Sequence, residues 1–428
     1  MLSKTFLAAC VAALGCVATA QAAEPLQVWI RASNDSRVIY EKIGAAFEKK
    51  TGIPVEYFNA TTDFEQRLAR AATGNQLPDL IFDDAALMGH LVQMGIVDEI
   101  DRKGIKGGAD LYDAAWESAR AFNGKYYAVP TSAQSFALFI RKDWRVKLGL
   151  PQPKTWKDIE TLAKAFTEKD PDGNGKADTY GFIFPGSVTR GYTSWFLSSF
   201  LWQAGGDFIR KSGDGYKPSL DEPAAAETLR FMRGLVCNKY TQPGAINATT
   251  ADAIPSFRSG QTGMFFSGPY HIALFDKDPG KDTIEVVVPP AGPKGVATLA
   301  EGTSAFMMKT SRNKASAKAF MEYMISPEAQ ETGMAVGTTN IPAVRLSVNK
   351  NVDTKKVYND ERWALFADLY GKSAHYVPQV PNWQPIRQTA ADGFNRILAD
   401  CNSNVEAELK TLNAKVGEEL AKQNVLAK

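Results

Sequence analysis

Apolar positions along this chain change their period in a regular order. After an apolar N-terminal block, Leu26-Gln27-Val28-Trp29-Ile30 predicts a short strand. Over residues 38–50, Ile39, Ile43, Ala46 and Phe47 recur at helical spacing, and Gly52 stands where a left-handed C-terminal cap belongs. A second strand is predicted over 53–58. Thr62-Asp63-Phe64-Glu65 then reads as a capping box, with Thr62 accepting an amide bond and Glu65 reaching back. Its helix runs to about Ala72. Leu80-Ile81-Phe82 is a third, buried strand, followed by a helix over 85–94 that stops at Gly95. Strands and helices alternating over short connections imply a parallel sheet with right-handed crossovers. Ligands of such sheets bind at the loops after the strands, here 31–36, 59–64 and Asp83-Asp84.

The texture changes at Tyr126. An apolar segment over 126–130 and another over 136–140 flank the polar run 131–135. Helices are predicted over 156–168, 188–205 and 224–239. Residues 263–270 read as strand and turn, and 284–288 as a strand. A Pro/Gly linker follows, with Pro289, Pro290, Gly292 and Gly295. Ser326-Pro327 is an N-cap with proline at the first helical position. From Arg387 onward the chain is mostly helical, and there is no internal repeat or low-complexity tract.

The first 22 residues carry one basic residue, Lys4, an apolar run and a small-residue ending at Ala20-Gln21-Ala22. That is the pattern of a cleavable secretory signal. Cys16 could mark a lipoprotein, but Ala13 stands where a large aliphatic residue is expected. Removing 22 of the 428 residues leaves 406, a length suited to two domains. The formal charge of +2 falls to about +1, with no long basic block and so no electrostatic footprint for nucleic acid. Cys237 and Cys401 remain in the mature chain, either as a disulfide or as two separate buried thiols.

Asp170-Pro171-Asp172-Gly173-Asn174-Gly175-Lys176-Ala177-Asp178 puts oxygen-bearing residues at positions 1, 3, 5 and 9 of a calcium loop. The Lys176 carbonyl falls at position 7, and Gly175 sits at the sharp turn. Carboxylate and amide oxygens suit a hard cation better than zinc. Position 12 is Gly181, so the bidentate glutamate of a calcium sensor is missing. The expectation is a structural Ca2+ that staples a loop and takes no part in chemistry; the alternative is a solvated turn without metal.

Several fragments, in order, resemble the periplasmic solute-binding proteins of carbohydrate ABC transporters, of the type that includes maltose-binding protein. They are Phe47-Glu48-Lys49-Lys50-Thr51-Gly52-Ile53, Ala72 through Leu80, Tyr126 through Pro130 leading to Ile140-Arg141-Lys142-Asp143, Ala204-Gly205-Gly206-Asp207, Ser267-Gly268-Pro269-Tyr270, Tyr323 through Gln330 and Ile341-Pro342-Ala343. The resemblance implies an α/β fold of two lobes joined by crossing hinge strands, with a ligand cleft between them. Residues 23–131 and 299–341 would form the first lobe, and 132–298 and 342–428 the second. It further implies a monomeric, non-catalytic periplasmic protein. That protein binds a mono- or oligosaccharide, hands it to membrane permease subunits and touches the membrane complex only peripherally.

A sugar offers hydroxyl edges and apolar C–H faces, so its site needs aromatic planes and hydrogen-bonding side chains. By the resemblance, Trp195, Tyr270 and Trp383 are the stacking residues, and Gln134 is a polar contact at the crossover. Asp83 and Asp84 follow a buried strand, where a carboxylate can face a cleft or cap the next helix. Arg387 can bind a hydroxyl, an anionic group or an internal carboxylate; Arg31 and Phe64 lie on first-lobe loops. Asp83 replaces a tryptophan of maltose-binding protein, which points away from maltodextrins. A glycerol-phosphate or polyol binder is the alternative within the fold. An exported calcium-dependent glycoside hydrolase would need two separated carboxylates. His90, His271 and His375 show no zinc-ligand spacing.

Overall fold

The computed structural model describes residues 24–61, 63–338 and 340–428; the signal segment and the Thr62 cap lie outside the described residues. In chain order the strands are β1 (Leu26–Arg31), β2 (Val55–Ala60), β3 (Leu80–Asp84), β4 (Val129–Gln134) and β5 (Ala137–Arg141). Next come β6 (Tyr180–Ile183), β7 (Ile209–Ser212), β8 (Gly215–Pro218) and β9 (Thr262–Ser267). The last are β10 (Ile284–Val287), β11 (Thr298–Leu299), β12 (Glu301–Met307) and β13 (Ala374–His375).

Two principal sheets result. The first has the order β2-β1-β3-β12-β4, and the second β10-β5-β9-β6. As the alternation of strands and helices requires, β1 pairs in parallel with both β2 and β3. Strand β12 then runs antiparallel between β3 and β4. Leu26, Val28 and Ile30 alternate inward from β1 and are fully buried. By contrast, Ala137-Leu138-Phe139-Ile140 is buried at every position, as a strand covered on both faces must be.

The helix Asn34–Thr51 begins four residues before the apolar period does. Its first turn is polar and therefore silent in a periodicity reading. Ser33 supplies the start, its hydroxyl accepting from the Ser36 amide, and Gly52 closes the other end at φ 74°. The helix predicted over 188–205 starts late, at Tyr192, because Arg190 and Gly191 adopt left-handed backbone angles. The helix predicted from Arg387 starts earlier, at Trp383, where the Asn382 side chain caps it.

The larger departure is the polar run 131–135. Most of it is the buried strand β4, whose hydroxyl groups find backbone partners, while Gln134 Oε1 is buried without one among the described residues. Thr131 Oγ1 donates to the Thr303 carbonyl, and Ser132 Oγ accepts from the Arg345 amide. Gly302 on the facing strand is obligatory: a Cβ there would come within 1.9 Å of the Ser132 carbonyl oxygen.

These strands carry the chain between sheets. Residues 135–136 link β4 in the first sheet to β5 in the second. Ala300 alone separates β12 from β11, which pairs with β13. A third passage runs beside them, with Leu346 bridged to Ala133. In the second lobe, Cys237 and Cys401 form a disulfide with a Cα–Cα distance of 5.8 Å. It ties the helix Pro223–Cys237 to the turn after the helix Trp383–Ala399.

Candidate functional site

Parallel register brings three loops to one edge of the first sheet. Ile30 is opposite Phe82 and Arg31 is opposite Ala60, so Arg31, Thr61 and Asp84 emerge together. They line a cavity of about 220 Å³. The second lobe supplies Arg190, Tyr192, Trp195, Tyr270 and Arg387 to the opposite wall. Pro342 and Arg345 close one side. The walls are already in contact: Arg190 meets the Glu65 carboxylate at 2.5 Å, and the Asn382 amide donates to Gln93 at 2.8 Å.

Charge is distributed unevenly around this space. Arg31 bridges both predicted carboxylates, with Nε 2.5 Å from Asp83 and Nη2 on Asp84. Burial pushes the Asp83 carboxyl up to about 6, against the pull of Arg31. Asp84 is held below the usual carboxylate range, because Arg31, Arg190, Arg345 and Arg387 together outweigh its burial. Burial also lowers the Arg387 guanidinium, opposed by Glu301 and Asp84. His271, against whose Nδ1 Ser267 Oγ lies at 2.8 Å, is pushed down to about 3 by burial, so its ring is neutral.

Of the residues singled out from sequence, Arg31, Asp84, Trp195, Tyr270 and Arg387 line the cavity. Four others do not. Phe64 is fully buried beneath Trp29, with ring centroids 6.4 Å apart. Strand alternation turns Asp83 inward, where it is 3% exposed and locked to Arg31. Gln134 is buried at the strand crossing, opposite Glu301 in the β4–β12 ladder. Trp383 is the first residue of its helix and packs edge-on against Phe208 at 5.3 Å. So two of the three predicted stacking rings share one gap, and the third belongs to the second-lobe core. Asp84 caps no helix, which leaves its carboxylate to Arg31.

Sequence reading missed Tyr40, Arg190, Tyr192, Thr250 and Arg345, all of them on the wall. They come from four separate segments, Arg190 and Tyr192 sharing one, and converge only through folding. Arg190 carried one usable signal: it stands next to Gly191 at the start of a helix rich in aromatic residues. Arg345 follows the family-like Ile341-Pro342-Ala343 fragment by two residues.

The loop 170–178 is turned as its spacing suggests. Asp170, at φ 45°, accepts amide bonds from Gly173, Asn174 and Gly175. The Asn174 side-chain amide donates to both Asp172 and Asp178. Among the described residues, no three His, Cys, Asp or Glu side chains are grouped as metal ligands. The carboxylates of Asp172 and Asp178 therefore meet on an amide, and a half-turn of that amide would present its oxygen to the same point. Gly181 at position 12 lies against the Ala163 backbone and has no side chain to offer.

A sequence model of the family described as bacterial extracellular solute-binding protein matches residues 32–331. A binding protein of Brucella abortus (strain 2308) is 24% identical over 427 residues, covering 97% of this chain and 98% of its own. An ABC transporter solute-binding protein from Thermotoga lettingae, solved with alpha-D-tagatose, has a TM-score of 0.79 at 21% identity. The match covers 92% of this chain and 99% of that one. Maltose-bound MalE3 of T. maritima has a TM-score of 0.77 at 22% identity, with the same two coverages. At such identities the structural likeness carries the two-lobed binding-protein fold.

Proposed function

The chain belongs to the family of bacterial extracellular solute-binding proteins, and we propose that it captures one small sugar between its lobes for an ABC importer. The observation that carries this reading is Trp195 and Tyr270 facing one cavity whose rim is arginine, carboxylate and hydroxyl. Aromatic planes take the C–H face of a sugar, and charged groups take its hydroxyl edge. A volume of about 220 Å³ favours a small solute over a long oligosaccharide. The tagatose and maltose in the two solved relatives support sugar as the class of solute. Hinging at the strand crossings would open and shut the cavity, and a membrane permease complex would receive the closed form from the periplasm.

Release without chemistry accords with the carboxylates. Both Asp83 and Asp84 are tied to the single guanidinium of Arg31, whereas a glycosidase needs two carboxyl groups roughly 5–9 Å apart across the bond. The loop 170–178 is assigned a calcium ion as a staple between helix and strand, supported by its spacing and by the carboxylates converging on Asn174.

One melting series tests both assignments. Ligand-stripped protein is heated with a panel of neutral, acidic and phosphorylated monosaccharides, with and without 10 mM calcium. A sugar at about 100 times its Kd adds about 2.7 kcal/mol of stability, and at least one member is expected to raise Tm. Calcium is expected to raise Tm further, and Asp170→Asn to abolish that increment alone. A flat response across the panel contradicts sugar capture; a calcium effect that survives Asp170→Asn contradicts the staple.

A further inference from the structure

Among the described residues five charged side chains line the cavity, and four of them are arginines: Arg31, Arg190, Arg345 and Arg387, against Asp84 alone. Two of the four are neutralised within the protein. Arg31 holds Asp83 and Asp84, and Arg190 holds Glu65. The other two are not. Among the described residues no carboxylate lies within ion-pair distance of Arg345 or Arg387, and the Nε of each is buried without a hydrogen-bond partner. Arg387 is 7% exposed, so its charge is held almost out of water. Each guanidinium lies over a ring of the same cavity: Arg345 over Tyr270 at 5.0 Å and Arg387 over Trp195 at 5.7 Å.

A buried charge without a partner is expensive, and hydroxyl groups or ring faces only partly offset it. The Trp195 Nε1–H is a third buried donor at this wall without an acceptor among the described residues. The site thus offers donors and positive charge in excess, with no carboxylate among the described residues paired to Arg345 or Arg387. A neutral sugar would leave that excess standing. An oxyanion would remove it, because guanidinium groups match carboxylate and phosphate oxygens in geometry and charge.

We propose that the solute is an acidic sugar, its carboxylate or phosphate held by Arg345 and Arg387 while Trp195 and Tyr270 cover its ring. The proposal rests on the sugar-capture reading and narrows it. Asp84, held by Arg31 and below the usual carboxylate range, remains as the acceptor for hydroxyl groups at the far end. Polarity across the cavity then orients the bound ring, acid toward the second lobe and hydroxyls toward the first.

Calorimetric titration of ligand-stripped protein tests this with matched probes: glucose and galactose, glucuronate and galacturonate, glucose 6-phosphate, and acetate and inorganic phosphate alone. At least one acidic sugar is expected to bind about 30- to 100-fold tighter than its neutral parent, the worth of one charge-assisted contact. Uronate or phosphate preference identifies which oxyanion is seated. Arg387→Gln should bring acid and neutral parent to within about threefold, on the scale of a neutral hydrogen bond. Should that variant melt early, the half-buried Arg345→Gln gives a second reading of the same ratio. Neutral sugars binding as tightly as the acids would overturn the proposal and leave sugar capture intact, as would a ratio unmoved by both substitutions. Acetate or phosphate binding as tightly as the sugar acids would overturn sugar capture. No heat from any probe would overturn both.

Discussion

Replacing Cys237 and Cys401 by serine is expected to lower the stability of the protein by about 5 kcal/mol. The bridge spans 164 residues of sequence, and by the loop-entropy argument a cross-link of this length removes about that much free energy from the unfolded chain. Its native surroundings need little rearrangement to accept it. The helices Pro223–Cys237 and Trp383–Ala399 already pack together, and Arg233 Nη1 donates to the Ser403 carbonyl at 2.7 Å beside the bond. Against a typical domain stability of about 5–15 kcal/mol, the loss should appear as a fall in Tm on the order of 10 °C. Melting with and without dithiothreitol, alongside the double variant, reads it. Equal melting temperatures in all three would show that the bridge does not constrain the unfolded chain.

The second large effect belongs to Glu301, at the crossing of the strands. Its side chain is 4% exposed, and neither carboxyl oxygen has a partner among the described residues. Burial, reinforced by Asp84, lifts its carboxyl from 4.5 to about 8; Arg387, Arg31 and Arg345 pull the other way. The folded state therefore holds a proton that the unfolded chain would release. The stability this brings is complete below about pH 4.5 and is lost as the pH rises through about 8. Glu301→Gln, which has the same shape and no charge, should escape the loss. Urea unfolding should give the variant a gain on the parent of about 4 kcal/mol between about pH 5 and pH 8.5. Asp83 titrates in both proteins and cancels. Parallel stability curves across that window would contradict the assignment.

Much of the fold was legible in the residues, because the period of apolar positions reports which face of an element is covered. The parallel pairing of β1 with β2 and β3 follows from the strand–helix alternation, and the Gly52 and Ser326 caps follow from local chemistry. The polar strand β4 did not, since its covering partners lie some 170–200 residues away in sequence, at Thr303 and Gln330. The site was legible only in part, for a related reason. A buried aromatic reads the same whether it meets a core or a closed cleft, so Trp195 and Trp383 looked alike. Tertiary packing separates them, Trp383 against Phe208 and Trp195 toward Arg387. Within β3, alternation sends Asp83 in and Asp84 out. Arginine pairing is likewise invisible in sequence, and it distinguishes the committed Arg31 and Arg190 from the unpaired Arg345 and Arg387.

Solute capture by this fold requires two lobes to close over a small solute. Small-angle X-ray scattering of ligand-stripped protein, titrated with the monosaccharide that gives the largest thermal shift, measures that closure directly. The radius of gyration should fall and saturate at one equivalent of solute, and the solute should be recovered intact. A radius that stays constant while calorimetry reports binding would contradict it.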